Sequence, residues 1–274
     1  MNGMKVEQQT LRHLALDPSV DMILEARRIV DAARERGIVL RLIGGMTVRT
    51  LCTDQAFCAR PHADIDLVGL FRQVGETTAL MQELGYRENA QVRLASDYRQ
   101  RQFVRPCRHV HPETGRQIHD DDHVDVFLDA LRMDHDVPLK DRLELDDFTV
   151  PRTDLLLTKL QIHRRTGKDV RDILALLKDS QVAYDDRPGA VDASYIARLC
   201  AGDWGMFHDF VTSIDVCERM MGDFELSDAD RAQIVLNGSR LVGALDAAPK
   251  TLGWRLRARV GTRIRWHQIV EDQD

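Results

Sequence analysis

The sequence predicts an α+β protein, and three observations carry that class. A run with strand-like character, IVLRLIGG (38–45), ends on two glycines. Two later apolar runs, ADIDLVGL (63–70) and HVDVFLDAL (123–131), carry aspartates at strand spacing. From Pro151 onward the pattern is mostly helical, with caps at the starts. The chain therefore reads as an α+β half, about 1–150, followed by a helical half, about 151–274.

Each element follows from local pattern. Over residues 21–36, Met22, Ile23, Ala26, Ile29, Val30 and Ala33 fall at helical spacing, and Gly37 ends that helix. The strand Ile38–Ile43 follows directly. After the Asp64-Ile65-Asp66 strand, Val74–Leu84 reads as an amphipathic helix closed by Gly85. Tyr98–Val104 alternates as a strand, and the polar stretch Arg105–Asp122 is expected as a long hairpin connection to the Asp125 strand. A short strand is expected around Phe148–Val150. Thr153 is then expected to cap a helix over Asp154–Arg165, Thr166-Gly167 to break it, and Asp169 to cap Val170–Lys178. Ala193–Leu199 and Trp204–Met221 continue the helical pattern.

Bulk composition narrows the function classes. Hydrophobic content of 43% and charged content of 30% are ordinary for a globular protein. A net charge of -6 argues against a general nucleic-acid coat protein, though it leaves room for a local basic patch. Five cysteines (Cys52, Cys58, Cys107, Cys200, Cys217) form an odd set without C-x-x-C spacing, which predicts reduced thiols and a cytoplasmic location. The N-terminus MNGMKVEQQT is polar, and no apolar stretch approaches the roughly 18 residues of a membrane span, so no membrane partner is expected.

The aspartates carry the chemistry. A strand alternates faces, so Asp64 and Asp66 project from one side while Ile65 and Leu67 project from the other. Asp125 lies between Val124 and Val126 and so also stands on a polar face; Asp120, Asp121, Asp122 and Asp129 compete with it for the third position. Clustered carboxylates repel one another and shift each other's protonation. Divalent cations relieve that repulsion, and three carboxylates suit a pair of ions about 4 Å apart. Gly44-Gly45 reads as a tight turn, or as a turn whose backbone N–H groups, at the start of the next helix, hold phosphates.

Other residues carry two readings each. Lys159 is a lysine snorkelling at the edge of the core, or a point charge on a triphosphate. Asp169 is a helix cap and Asp172 a surface acid, or either takes part in the chemistry. Cys107, His109, His111, His119 and His123 offer zinc-type donors at a spacing that fits no established zinc framework. Between Asp246 and Glu271 there is no acid, but there are Lys250, Arg255, Arg257, Arg259, Arg263 and Arg265 with Trp254 and Trp266. That tract is a basic terminal helix, or a surface that holds an RNA backbone and stacks on its bases.

Together, Gly44-Gly45, Asp64-x-Asp66 and Asp125 resemble the motif of the DNA polymerase β-like nucleotidyltransferases. The stretch DLLLTKLQIHRRTGKDVRDILALL, with Lys159, Lys168, Asp169 and Asp172, resembles the helical half of AbiEii-type nucleotidyltransferases, toxins of toxin–antitoxin and abortive-infection systems. The resemblance spans roughly 38–178. Met46 stands where that superfamily commonly has Ser or Thr, and the eighteen residues between Gly45 and Asp64 exceed its usual spacing.

The resemblance implies a nucleotidyltransferase core with a small mixed sheet over 1–150 and a helical domain over 151–274 that closes on the nucleotide. It implies transfer of an NMP from an NTP such as ATP. Two Mg²⁺, or Mn²⁺, would be held by Asp64, Asp66 and Asp125. Gly44, Gly45, Thr47, Lys159 and Asp169 would bind the nucleotide. The acceptor favoured is tRNA or other RNA, and a cognate antitoxin protein is an implied partner. The alternatives are a small-molecule (aminoglycoside-type) nucleotidyltransferase and a non-catalytic nucleotide-binding regulator of the same fold.

Overall fold

The computed structural model describes residues 18–110 and 117–268, with side chains described over 22–106 and 121–268. The chain is α+β and forms two compact units. The first comprises the residues up to Thr50, Arg60–Ala130 and Leu139–Val150; the second comprises Leu51–Ala59, Leu131–Pro138 and Pro151 onward.

The first unit is organised by a five-stranded sheet. Helix α1 (Pro18–Glu35) buries Ala26, Ile29, Val30 and Ala33, a single stripe at helical period. Gly37, at φ 69°, takes the left-handed conformation that ends the helix. Then come β1 (Leu40–Leu42), helix α2 (Gly44–Leu51) and β2 (Asp64–Gly69). Helix α3 (Val74–Glu83), β3 (Arg87–Glu88) and the short α4 (Ala90–Ala95) lead to β4 (Gln100–Val110) and β5 (Gln117–Leu128). The strand order is β1-β2-β5-β4-β3. Only the β2–β5 pair is parallel, so the sheet is mixed. Leu40, Leu42, Ile65, Leu67, Phe103, Val124 and Val126 pack with the α1 stripe and with Leu80 and Met81 of α3 into one core.

Two expectations for this unit change. The stretch Arg105–Asp122, expected as a connection, continues the β4–β5 ladder from Arg105↔Asp122 to Val110↔Gln117. Ladder hydrogen bonds use the backbone and need no apolar side chains, and Arg105 pairs with Asp122 across the strands at 2.7 Å. The strand expected at Phe148–Val150 is a single bridge, Leu42↔Thr149.

The second unit is mainly helical. It holds α5 (Arg152–Leu160), α6 (Gly167–Asp179), α7 (Ala193–Gly202), α8 (Trp204–Met220), α9 (Asp228–Ala247) and α10 (Leu252–Val260). Thr153 is not the cap of its helix, because α5 starts one residue earlier, after Pro151. Its buried hydroxyl instead accepts from the Asp192 N–H at 2.9 Å and donates to Asp186 at 3.2 Å. Helix α5 also stops at Leu160, short of Arg165. The Gln161 side chain accepts from the His135 N–H at 3.1 Å, and the His163 N–H donates to Asp134 at 2.9 Å.

The cysteines correct the reading of a wholly reduced set. Cys52 and Cys58 form a disulfide across Cα atoms 6.6 Å apart. Asp54 folds the segment back by accepting from the Ala56 and Phe57 N–H groups, both at 3.1 Å. Cys200 and Cys217 are buried thiols, and burial pushes Cys217 up to about 12. Among the described residues, no helix is long and apolar enough to cross a membrane.

Candidate functional site

The register of two parallel strands places the aspartates. Asp66 of β2 and Asp125 of β5 are direct Cα partners, and Asp64 is two residues away on the same face of β2. Each offers a carboxylate oxygen, and these three atoms lie within 4.8 Å of one another. Ile65, Leu67, Val124 and Val126 point the other way, into the core. The alternation read from sequence therefore puts the three acids on one polar face.

Two rivals of Asp125 have other partners, and the side chain of Asp120 lies outside the described residues. Asp122 is ion-paired to Arg105, and Asp129, at φ 64°, accepts from the Phe71 N–H at 3.1 Å. Both are occupied in holding local structure.

Asp125 is the most enclosed of the three, with 7% of its surface exposed. Burial raises its pKa, and the Asp64 charge adds to that rise. Opposing both, Gln100 and Gln102 donate to its Oδ1 at 3.0 and 3.3 Å. The Asn89 side chain in turn donates to Gln102 Oε1 at 2.8 Å, so an amide chain orients the carboxylate. Both amides use Oδ1, which leaves Oδ2 for another ligand. Gln100 and Gln102 were not singled out from the sequence, although their alternation in YRQRQFV puts them on one face.

The glycine turn is fitted against these acids. Ile43 N–H donates to the Asp66 carbonyl at 3.0 Å, which ties the end of the β1 segment to the acidic strand. Gly44 has φ 78°, and a Cβ there would fall 2.2 Å from Asp66 Oδ2. Glycine is required on both counts. A Cβ at Gly45 would fall 1.9 Å from Nη2 of Arg60 and 3.1 Å from Cε1 of His62. Met46 is part of the core, and Thr47 is wholly buried, with no hydrogen-bond partner on its hydroxyl among the described residues.

Lys159 and Asp169 lie in the second unit. Lys159 is ion-paired at 2.9 Å to Asp172, which is 3% exposed and so is not a surface acid. Asp169 accepts from the N–H and hydroxyl of Thr166, the reciprocal half of a capping box that starts α6. Of the zinc-type segment, His111 and the side chains of Cys107, His109 and His119 lie outside the described residues. His123 is on β5, the Cα partner of Asp64.

The basic tract is partly committed. Lys250 bonds the carbonyls of Leu245 and Ala248 at the end of α9. Arg257 donates to the carbonyls of Gly261 and Ile264, each at 2.6 Å. Trp254 packs on Phe207, and Trp266 on His163, Trp204 and His208. Both indoles proposed for base stacking are thus already engaged with protein rings. Arg255, Arg259, Arg263 and Arg265 are exposed.

A second acidic centre was missed from sequence. Asp209, 1% exposed, faces His135 Nε2 at 2.7 Å, His163 Nδ1 at 3.0 Å and Trp266 Nε1 at 3.0 Å. Burial raises its pKa, but bonds from His135 and His163 outweigh that and hold it below the ordinary carboxylate value.

Three hard oxygen donors on one face fit a divalent cation, because such ions take carboxylates. No family model and no curated protein matches the chain. Among solved structures it is similar to an antigenic nucleotidyltransferase-like protein from Paracoccidioides brasiliensis, at 15% identity and a TM-score of 0.41, over 86% of this chain and 95% of that one.

Proposed function

We propose that the chain is a metal-dependent nucleotidyltransferase that moves an NMP from an NTP to an acceptor hydroxyl and releases pyrophosphate. The observation that carries this is the convergence of Asp64, Asp66 and Asp125 beside a turn where only glycine fits. Divalent cations, when bound, neutralise phosphate charge and make the acceptor hydroxyl easier to ionise. Asp64, Asp66 and Asp125 would hold the cations, with the Asp125 Oδ2 left available by the amides on Oδ1. Gln100 and Gln102 fix the Asp125 carboxylate in orientation. The acceptor oxygen bonds to the α-phosphorus, the bond to the β-phosphate's bridging oxygen breaks, and the acceptor's proton passes to the Asp125 carboxylate or to water. Most of the rate comes from positioning and electrostatics.

RNA is the acceptor we favour, with tRNA a member of that class. The support is charge: Arg255, Arg259, Arg263 and Arg265 are exposed in a chain of net charge -6. Recognition of the RNA backbone by these cations does not require Trp254 or Trp266. The resemblance of the Lys159–Asp172 region to AbiEii-type proteins supports a toxin role with a cognate antitoxin.

The test is incubation with each α-labelled NTP and total RNA, with Mg²⁺ or with EDTA. Label should enter RNA only with Mg²⁺ and not with Asp66→Asn. Label appearing equally in EDTA, or no label with RNA or any small hydroxyl acceptor, would overturn the reading.

A further inference from the structure

The two glycines of the turn face opposite charges. The missing Cβ of Gly44 makes room for the Asp66 carboxylate, and that of Gly45 makes room for the Arg60 guanidinium and the His62 ring. The turn that opens α2 therefore has an anion against its first glycine and a cation against its second. Arg60 comes from the eighteen-residue connection between Gly45 and Asp64, which sends it back over the glycine where that connection began. The guanidinium end of Arg60 lies where a Cβ on Gly45 would fall, which places its charge directly against the turn.

We propose that Arg60 is the phosphate-reading cation of this site, contacting the phosphates of the NTP that leave as pyrophosphate, with His62 packed beside it. This rests on the nucleotidyltransferase reading. A triphosphate carries more charge than the cations on the acidic side neutralise alone, and its leaving phosphates gain charge as the α–β bond breaks. Arginine stays protonated and presents planar paired donors to phosphate oxygens, which lysine does not. The acidic face takes the metal-bound part of the nucleotide, and Arg60 takes phosphate oxygens directly, from its place against Gly45. Arg60 thereby sets selectivity for a triphosphate over a monophosphate.

The experiment measures binding of magnesium tripolyphosphate, and of each NTP and NMP with Mg²⁺, to wild type, Arg60→Ala and Arg60→Lys by calorimetry. Melting curves with Mg²⁺ alone establish that each variant is folded and still binds the ion. Arg60→Ala should weaken tripolyphosphate and NTP binding by about ten- to a hundredfold, the loss of a charge-assisted hydrogen bond, and narrow the NTP/NMP ratio by the same factor. Its NMP affinity and Mg²⁺ response should match wild type. Arg60→Lys should recover part of the loss, and in transfer assays the change should lie in KM for the NTP. Unchanged tripolyphosphate affinity in folded Arg60→Ala would overturn the proposal, as would an equal loss for NMP. Arg60-dependent tripolyphosphate binding without transfer to any acceptor would leave the phosphate subsite standing and remove the nucleotidyltransferase reading. A wild type that binds neither tripolyphosphate nor any NTP would overturn both.

Discussion

Asp125 in the first unit and Asp209 in the second are both buried carboxylates, and they are solvated in opposite ways. Asp209 is surrounded by donors: two imidazole nitrogens and an indole N–H converge on it, and its pKa is lowered. Asp125 has two neutral amides on one oxygen and two further acids nearby, and its pKa is raised. A carboxylate whose partners are all supplied by the chain has a structural role. One placed beside other carboxylates, with an oxygen left over, is completed by something the chain does not supply. Burial alone does not separate the two; the sign of the surrounding charge does.

The largest expected effect is on activity. Asp66→Asn or Asp125→Asn should lower transfer by at least on the order of 10²–10³-fold, with melting in EDTA unchanged or raised because like-charge repulsion is relieved. Asp209→Asn should do the reverse. It leaves buried donors facing an amide and should cost roughly 3–5 kcal/mol of stability, while the folded fraction keeps its transfer rate. Urea unfolding and single-turnover labelling on the same three variants check both arms. If Asp125→Asn is the unstable variant and Asp209→Asn the inactive one, the contrast is assigned backwards.

What the sequence revealed of these two centres differs for the same reason that their chemistry differs. Asp64, Asp66 and Asp125 sit in strands whose other face is apolar, so period-two alternation alone aligned them, and the Asp66↔Asp125 register completed the set. Asp209, His135, His163 and Trp266 come from distant parts of the chain, and each looks like an ordinary polar or aromatic residue locally. Arg60 was hidden likewise, since an arginine in a connection has no periodic signature until Gly45 is seen beneath it. The Arg105–Asp122 ladder was missed because it is held by backbone bonds along a mostly polar stretch, where hydrophobic alternation has nothing to report. The Cys52–Cys58 bond depends on a turn set by Asp54, which cysteine spacing does not encode.

Lys159 sharpens the contrast with a smaller effect. Its pair with nearly buried Asp172 resembles the Asp209 arrangement, a carboxylate completed by the chain. Lys159→Met should remove the ammonium that pairs with nearly buried Asp172 and cost roughly 3 kcal/mol, and Lys159→Met/Asp172→Leu should recover most of it. Denaturant melts of the two variants decide this. A folded Lys159→Met with wild-type stability and weakened NTP binding would return the lysine to the triphosphate, as the family resemblance implies.

The smallest effect is on the acid limb of stability, and its sign follows from Asp209. Its folded pKa lies below the ordinary carboxylate value, so the folded state holds the proton less tightly than the unfolded chain does. The stabilisation is therefore fully present above about pH 4, the unfolded value, and is lost as pH falls through the lower folded pKa. Protonated Asp209 would still accept hydrogen bonds but would carry no charge towards His135 and His163, which face it from the turn just before Asp136 and from the segment after α5. Arg165 lies within electrostatic reach of the same carboxylate and loses the same partner. Melting temperature recorded between pH 6 and pH 2.5 should therefore fall less steeply in Asp209→Asn than in wild type, with the two curves converging at the acid end. In EDTA, Asp125→Asn should keep the steep wild-type fall across this range, because the Asp209 centre is intact in that variant. Parallel acid limbs in wild type and Asp209→Asn would mean that this carboxylate is not held ionised by its donors, and the distinction between the two buried aspartates would then rest on geometry alone.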